Sequence, residues 1–345
     1  MRFILIFILT SSIAFAQPGI EWQKTIGGSN SDGLVKSILA QDGYLLSGTS
    51  FSNISGDKTV NGFSNQPHNW IVKINLNSEI LWQKAFGGSI GELNNNLVST
   101  NDNGFLISNT SSSNISGNKT ENSRGESDYW LVKIDEIGNI EWQKTIGSTD
   151  TDLLSDMIIT PENDILIGGT SAGLISGDKT VASNGLSDFW ILKLNSTGDI
   201  LWQKSIGGND QESLNRMILT IDGNYLLSGS SRSSISGDKT SNSRGLNDYW
   251  IVIIDTEGNI IGQKTIGGSE SEGLTNIIET PDGGYFVGGS SFSGISGEKS
   301  EASRGQSDYW VLKLESNSIT CSNPILAGIT VYPNPTTELV NKNFD

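Results

Sequence analysis

The chain has 345 residues, with 38 acidic and 22 basic side chains and a formal net charge of −16. An acidic surface repels phosphate backbones and anionic lipid headgroups, so we expect no nucleic-acid partner. The single cysteine, Cys321, and the single histidine, His68, exclude an intramolecular disulfide, a zinc site of Cys and His ligands, and a repeated Cys–His pair.

The first sixteen residues have the pattern of an export signal. Met1-Arg2 precedes an apolar run from Phe3 to Ile13, and Ala14-Phe15-Ala16 matches the small-x-small pattern that signal peptidase cuts. Cleavage at that point removes Arg2 and leaves a charge of 21 − 38 = −17. The apolar run is too short for a permanent transmembrane helix, so we expect no membrane insertion. The sequence predicts a signal peptide over residues 1–16 and a protein that is secreted or displayed on the outer cell surface.

A 60-residue repeat follows. Tryptophans recur in two columns at this period, and all nine tryptophans of the chain fall in them. They alternate with polar residues on predicted strands, so we assign them to packing between repeats rather than to sugar stacking. The two columns are Trp22, Trp82, Trp142 and Trp202, and Trp70, Trp130, Trp190, Trp250 and Trp310.

Each repeat contains four strand-like segments and no helical pattern. In the second repeat the predicted strands are Leu93–Thr100, Gly104–Asn109, Asp128–Ile134 and Asn139–Ile146. Short turns containing Asp or Gly separate the first two and the last two, as in hairpins. Four antiparallel strands per unit, repeated radially, are typical of propellers. The sequence therefore predicts an all-β, five-bladed β-propeller over residues 17–315.

The phase of the repeat predicts how the ring closes. The chain begins with one isolated strand of the Trp22 type, Gly19–Ile26, and the last repeat ends at Leu314 without such a strand. These pieces form one complete blade if the N-terminal strand joins the last repeat. We therefore expect the N-terminal strand to close the fifth blade.

The segment Lys133-Ile-Asp135-Glu-Ile-Gly138-Asn-Ile-Glu-Trp142, with relatives in every repeat, resembles the tryptophan-docking motif of quinoprotein-like propellers. The whole repeat is similar to tandem repeats of secreted Bacteroidota proteins, with the shape D-G-G-Y…S-D-Y-W…G-N-I-x-W-Q-K-x-I-G-G. The resemblance implies a propeller fold and no particular activity, because such propellers host unrelated functions. Gly262 stands where the motif has a tryptophan, and no quinone site is apparent.

The C-terminal tail carries a second resemblance. After a predicted linker over residues 316–328, the motif Tyr332, Pro333, Asn334 and Pro335 looks like the opening of the sorting domain read by the type IX secretion system. That resemblance implies secretion machinery as a partner. Only Thr337 to Asp345 follow the motif, so we expect residues 329–345 to be the start of a truncated sorting domain. If the truncated signal does not work, the expected location is the periplasm.

A column of acidic residues precedes the first strand of each repeat. The longest loop of each repeat connects its second and third strands. If the five carboxylates ring the mouth of the propeller's central channel, on the face that carries these long loops, they raise one another's pKa or recruit a cation such as Ca²⁺. The structural alternative is that each carboxylate accepts backbone N–H groups and holds its own loop. We expect no other cofactor. The column, a candidate binding rim, comprises Asp32, Glu92, Asp152, Glu212 and Glu272.

Near-identical long loops in five repeats favour a monomeric, non-catalytic binding or adhesion propeller for an extracellular glycan or protein, because repeated weak contacts combine into avidity. The alternative is a carboxylate-dependent glycoside hydrolase. That chemistry needs two carboxylates in different environments, which breaks the symmetry of the ring. No acidic residue in the repeats stands out in this way, so we predict that the chain is not an enzyme.

Overall fold

The computed structural model describes residues 19–63, 66–316 and 318–319, with the side chains of Asn94 and Asn95 left out. The predicted signal peptide, most of the linker and the sorting motif at Tyr332, Pro333, Asn334 and Pro335 lie outside the described residues. Every regular element in the described part of the chain is a β-strand.

The described residues form nineteen strands in five antiparallel sheets, called sheets 1 to 5 in chain order. Sheet 1 contains β1 (Asp32–Ala40), β2 (Gly43–Ser50), β3 (His68–Asn75) and β4 (Ile80–Phe86). Sheet 2 contains β5 (Glu92–Ser99), β6 (Phe105–Ser111), β7 (Asp128–Ile134) and β8 (Ile140–Ile146). Sheet 3 contains β9 (Asp152–Ile159), β10 (Ile165–Ser171), β11 (Asp188–Leu194) and β12 (Ile200–Ile206). Sheet 4 contains β13 (Glu212–Leu219), β14 (Tyr225–Ser231), β15 (Asp248–Ile254) and β16 (Ile260–Ile266). Sheet 5 contains β17 (Glu272–Glu279), β18 (Tyr285–Ser291) and β19 (Asp308–Leu314).

The strands of each sheet are hydrogen-bonded in sequence order, as an up-and-down meander. The turn between the last two strands of sheet 2 shows why the chain reverses there. Gly138 has φ +83°, a left-handed conformation that suits glycine, and its N–H donates to the carbonyl of Asp135 at 3.1 Å. The Asp135 carboxylate also accepts the backbone N–H groups of Ile137 and Asn139. The predicted all-β, five-bladed propeller of repeated antiparallel sheets is confirmed, with strand bounds in sheet 2 within two residues of those predicted.

Aromatic side chains pack the sheets against one another. Tyr129 of sheet 2 is fully buried against Trp190 of sheet 3, with ring centroids 5.1 Å apart. Phe189 packs in the same way on Trp250, at 5.1 Å, and Tyr249 packs on Trp310, at 5.3 Å. Each pair lies within an apolar cluster that combines residues of two successive sheets. The first strands of successive sheets also contact one another, so they lie on the inner side of the assembly.

The end of the chain differs from the prediction. Sheet 5 has three strands, and residues 19–26 form no strand with it. They lie against sheet 1 instead, with the ring of Trp22 6.2 Å from that of Tyr44 and with Ile26 packed on Trp70. The physical reason is that sheet 1 presents an apolar face on that side, and Trp22 and Ile26 partly cover it. No contact joins the described strands of sheets 1 and 5.

Candidate functional site

A β-bulge in the first strand of each sheet shapes the inner wall. In sheet 1, Leu34 pairs with Gly48 and Lys36 with Ser47, which leaves Val35 as the extra residue. In sheet 3, Leu154 pairs with Gly169 and Asp156 with Gly168, which leaves Ser155 unpaired. A bulge twists the strand and changes the direction of the side chains beside it. The residues directly after the bulges are Lys36, Asn96, Asp156, Arg216 and Asn276.

Four of these residues form one hydrogen-bonded network across sheets 1 to 4. Lys36 donates from Nζ to the side-chain oxygen of Asn96. Asn96 donates from Nδ2 to Oδ1 of Asp156 at 2.6 Å, and Arg216 Nη1 lies 3.2 Å from Oδ2 of Asp156. Asp156 is 2% exposed and also accepts the backbone N–H groups of Met157 and Met217, at 2.9 Å each. These donors fix the orientation of the Asp156 carboxylate at the inner wall.

A cavity of about 380 Å³ opens beside this network. It is lined by Val35, Lys36, Asn96, Ser155, Leu214, Asn215 and Arg216. Two features leave it ready for a polar ligand. The Arg216 side chain lines the cavity and is 42% exposed, so part of its guanidinium can reach a ligand. Burial lowers the pKa of Lys36, with the Asp156 carboxylate opposing that change and the Arg216 guanidinium adding to it. Both cations would gain from a ligand oxygen that bears negative charge.

The sequence analysis missed this site because its residues do not repeat from sheet to sheet. The column at positions 36, 96, 156, 216 and 276 changes chemical type from sheet to sheet: Lys, Asn, Asp, Arg and Asn. Asp156 is therefore a carboxylate that no other sheet repeats at this position. Reading the repeat for the position that varies most in charge would have found it.

The predicted acidic column is buried within the loops that lead into the first strands. Glu92, Asp152, Glu212 and Glu272 are each at most 1% exposed, and only Asp32 is half-buried. Each carboxylate accepts the backbone N–H of the residue four positions earlier, for example Gly208 for Glu212 at 2.8 Å. Serine hydroxyls donate to the same carboxylates, as Ser231 does to Glu212 at 2.6 Å. These are the contacts that the structural alternative requires, and a binding role for the rim stays a prediction.

No group of three or more His, Cys, Asp or Glu side chains that could hold a metal ion occurs among the described residues. Within this same part of the chain, no helix is long and apolar enough to cross a membrane.

A buried lysine accompanies the acidic column in each repeat. Lys179, for example, is 1% exposed and donates to Ser171, to the carbonyl of Gly173 and to Ser183, at 2.8 to 2.9 Å. Its Nζ also lies 5.6 Å from the ring centroid of Trp190, a cation–π distance. Each of these lysines is the last residue of a Ser-Gly-x-Lys sequence in the long loop, where x is Asp, Asn or Glu. The buried lysines tie the long loop to the core, so their role is structural. The set is Lys58, Lys119, Lys179, Lys239 and Lys299.

The single histidine belongs to this buried layer. Nε2 of His68 lies 2.7 Å from Nζ of Lys58, and the His68 side chain is buried. In the other sheets the same position holds an aspartate, such as Asp128. Burial, together with the charge of Lys58, lowers the pKa of His68. The histidine is therefore a structural substitute for a carboxylate in sheet 1.

Several solved structures show distant similarity to this chain. Kuenenia stuttgartiensis hydrazine synthase is 10% identical, with a TM-score of 0.42, over 77% of this chain and 76% of that chain. A thermostable family-43 glycoside hydrolase is 12% identical, with a TM-score of 0.39, over 90% of this chain and 97% of that one. A glucose dehydrogenase is 9% identical, with a TM-score of 0.33, over 83% and 99%. No family model matches the chain.

One curated protein is similar in sequence. The regulatory protein FlaEY of Caulobacter vibrioides is 21% identical over 165 residues, which are 45% of this chain. The chain spans only 17% of that relative's length.

The solved structures correct one prediction. The chain was expected not to be an enzyme, and that expectation is wrong: hydrazine synthase, the glycoside hydrolase and glucose dehydrogenase are all enzymes. An acidic residue without an acidic counterpart is present after all: Asp156, on the first strand of sheet 3, occupies a position that holds Lys, Asn, Arg and Asn in the other sheets.

Proposed function

We propose that the cavity beside Lys36 and Arg216 binds a saccharide that carries an acidic group. The observation that carries this proposal is the network that links Lys36, Asn96, Asp156 and Arg216 at the rim of a 380 Å³ cavity. Such a volume falls within the range of small-molecule sites, which combine an enclosed space with a few placed polar groups. Lys36 and Arg216 supply two positive charges and Asp156 one carboxylate, so the site favours an anion.

The uncharged polar groups of the cavity support a saccharide over a simple ion. Asn215 lies beside Arg216 on β13, and Ser155 lies beside Asp156 on β9. Amide and hydroxyl groups can both donate to and accept from sugar hydroxyls. The acidic group of the ligand would then bind the exposed part of the Arg216 guanidinium, and the sugar hydroxyls would face the amides.

Calorimetric titration with acidic and neutral oligosaccharides of equal length tests this proposal. We expect the acidic sugars alone to bind, and Arg216→Gln or Lys36→Met to weaken binding roughly 10- to 100-fold, as expected for a lost charge-assisted hydrogen bond of about 1.5–3 kcal/mol. Asn276→Ala is the matched control, because Asn276 follows the bulge of sheet 5 and is exposed outside the cavity. Equal affinity for neutral sugars, or an effect of Asn276→Ala as large as that of Arg216→Gln, would contradict it.

We also propose that the protein works outside the cytoplasm. The support is the sequence of residues 1–16 and the motif from Tyr332 to Pro335, which resembles a type IX sorting signal. Cell fractionation with an antibody against the purified chain checks this. Recovery in the medium or on the cell surface is the expected result, and recovery in the cytoplasm alone rejects it.

Glycoside hydrolysis is a second candidate function, favoured by the occurrence of a carboxylate at this position in only one sheet. Asp156, which accepts hydrogen bonds from Asn96 and from the backbone of Met157 and Met217, would be one of the two carboxylates that this chemistry requires. Release of reducing ends from the sugars that bind, abolished by Asp156→Asn with the fold intact, is the expected result. Binding without release of reducing ends in the wild type rejects this candidate and leaves the binding proposal standing.

A further inference from the structure

The outer edge of sheet 5 is incomplete in a way that the other four sheets define. In sheets 1 to 4 the fourth strand carries a glutamine whose side chain joins three groups. In sheet 2, Oε1 of Gln143 accepts from Nε1 of Trp130 and from the backbone N–H of Thr120, both at 3.1 Å. Nε2 of Gln143 donates to the carbonyl of Asn118 at 2.8 Å. The same three contacts are made by Gln83, Gln203 and Gln263.

In the described part of the chain sheet 5 ends at β19, so Trp310 meets no such glutamine there on a neighbouring strand of its sheet. The exposed apolar face of β19 shows what is missing. Tyr309 is 94% exposed, whereas its equivalents Tyr129, Phe189 and Tyr249 are fully buried against the next sheet. Val311 is also exposed. Both the edge and the face of this strand are therefore open.

The missing strand is present elsewhere in the chain. Residues 20–26 read Ile-Glu-Trp-Gln-Lys-Thr-Ile, identical to β8 at all seven positions, and Gln23 corresponds to Gln143. In the structure this segment belongs to no sheet, and residues 21–25 are exposed. A sequence that forms a fourth strand in sheet 2 is thus unpaired at the other end of the molecule.

The segment is already placed as a fourth strand would be. Gly27, at its end, accepts the N–H of Asp57 at 2.9 Å, as Gly147 at the end of β8 accepts the N–H of Asp178 at 2.8 Å. Residues 20–26 therefore lie on sheet 1 as β8 lies on sheet 3. A sheet that paired with this segment would pack on sheet 1, and its Tyr309 would meet Trp70 as Tyr129 meets Trp190.

We propose that residues 20–26 of a second copy of this chain complete sheet 5 as its fourth strand. The segment of the same chain is held on sheet 1 by Trp22 and Ile26, and sheets 1 and 5 of one molecule have no contact between their strands. The two free surfaces are self-complementary in sequence and lie at opposite ends, so they join copies head to tail. By the register of sheet 4, Val311 would pair with Lys24 and Trp310 with Thr25.

Cysteine pairing between separate molecules tests the proposal. In a Cys321→Ser background, Val311→Cys and Lys24→Cys are made in two different preparations, which are mixed and oxidised. We expect a disulfide-linked species of twice the chain mass. The mixture of Val311→Cys with the exposed-site variant Glu301→Cys is the control and should stay unlinked. Light scattering of the wild type should show a mass that rises with concentration.

Lys24→Pro removes a backbone donor from the exposed part of the segment, so it should give a monomer at every concentration, with the thermal stability that the wild type has when it is dilute and unassociated. A wild type that stays monomeric at all concentrations overturns the proposal. So does a double variant, Lys24→Cys with Val311→Cys, that links within one chain while the mixed single variants do not, because that result would show ring closure in a single molecule.

Discussion

Glu92 offers a quantitative test of the buried polar layer. The side chain is 1% exposed, and burial raises its pKa to about 7, against 4.5 for an ordinary glutamate. Its Oε1 accepts the N–H of Gly88 at 2.9 Å and the hydroxyls of Ser111 and Ser113 at 3.3 Å. Its Oε2 is buried without a hydrogen-bond partner in the described structure. An anion at this position is therefore poorly compensated, despite the charge of Lys119 nearby.

The sign of the pH effect follows from the raised pKa. Between pH 4.5 and pH 7 the folded protein keeps a proton on Glu92 that the unfolded chain has released. The contribution of Glu92 to stability is thus greatest below pH 4.5 and is lost as the pH rises through 7. With about 1.36 kcal/mol for each pH unit between the two pKa values, the loss amounts to about 3 kcal/mol.

Glu92→Gln removes the proton equilibrium and keeps an oxygen for the three donors. We expect the difference in free energy of unfolding between this variant and the wild type to shift by about 3 kcal/mol in favour of the variant from pH 4 to pH 8. Urea denaturation at half-unit pH steps, followed by tryptophan fluorescence, measures it. The exposed Glu301→Gln is the control and should show no such shift. A flat difference for Glu92→Gln over this range would refute the reasoning.

Three further predictions concern stability. Trp190→Ala should cost about 3–5 kcal/mol in urea denaturation, because the side chain is fully buried, whereas Trp22→Ala at a 38% exposed position should cost below about 1 kcal/mol; similar losses would contradict the packing. Gly177→Ala should cost at least about 1–2 kcal/mol, since φ is +57° and a Cβ would clash with the carbonyl oxygen of Gly147. Gly305→Ala, in open space, should leave the melting temperature unchanged. Burial lowers the pKa of Lys119 to about 8, so the wild type should gain about 3 kcal/mol relative to Lys119→Met between pH 8 and pH 10.5, and an unchanged difference would place Lys119 in solvent.

The local sequence predicted the strands well, because each strand carries a clear apolar pattern and ends at recognisable turn residues. Alternation of apolar and polar residues in β8 and the glycine at 138 locate that hairpin to within a residue. The lysines of the long loops were harder, because a lysine next to aspartate in a Ser-Gly-Asp-Lys turn looks solvated. Only the tertiary fold shows that Lys179 enters the core beneath Trp190. Burial of a charged group depends on partners from distant segments, which periodicity does not encode.

The hydrogen-bonded network of Lys36, Asn96, Asp156 and Arg216 could not be placed from periodicity for a different reason. Strict alternation assigns residues 155 and 156 to opposite faces of β9, and a bulge breaks that alternation at this point. The position of a bulge depends on the pairing of two strands rather than on the residues of one strand. Gly169 fits beside the bulge of sheet 3, because its backbone passes so close to the carbonyl of Leu153 that a Cβ would clash with that oxygen.

The same geometry explains why some positions of the repeat are constant and others vary. Positions that hold the repeat together, such as Trp190 and Lys179, carry the same residue type in every sheet, and their side chains pack into the core. Positions just after the bulges face the inner wall, where sheets with different residues meet, so Lys36, Asp156 and Arg216 can differ without disturbing any sheet. Such positions let a repeat protein acquire an asymmetric site while the packing of its sheets stays unchanged. The inner wall, rather than the near-identical outer loops, is therefore the surface at which we propose that a specific ligand binds.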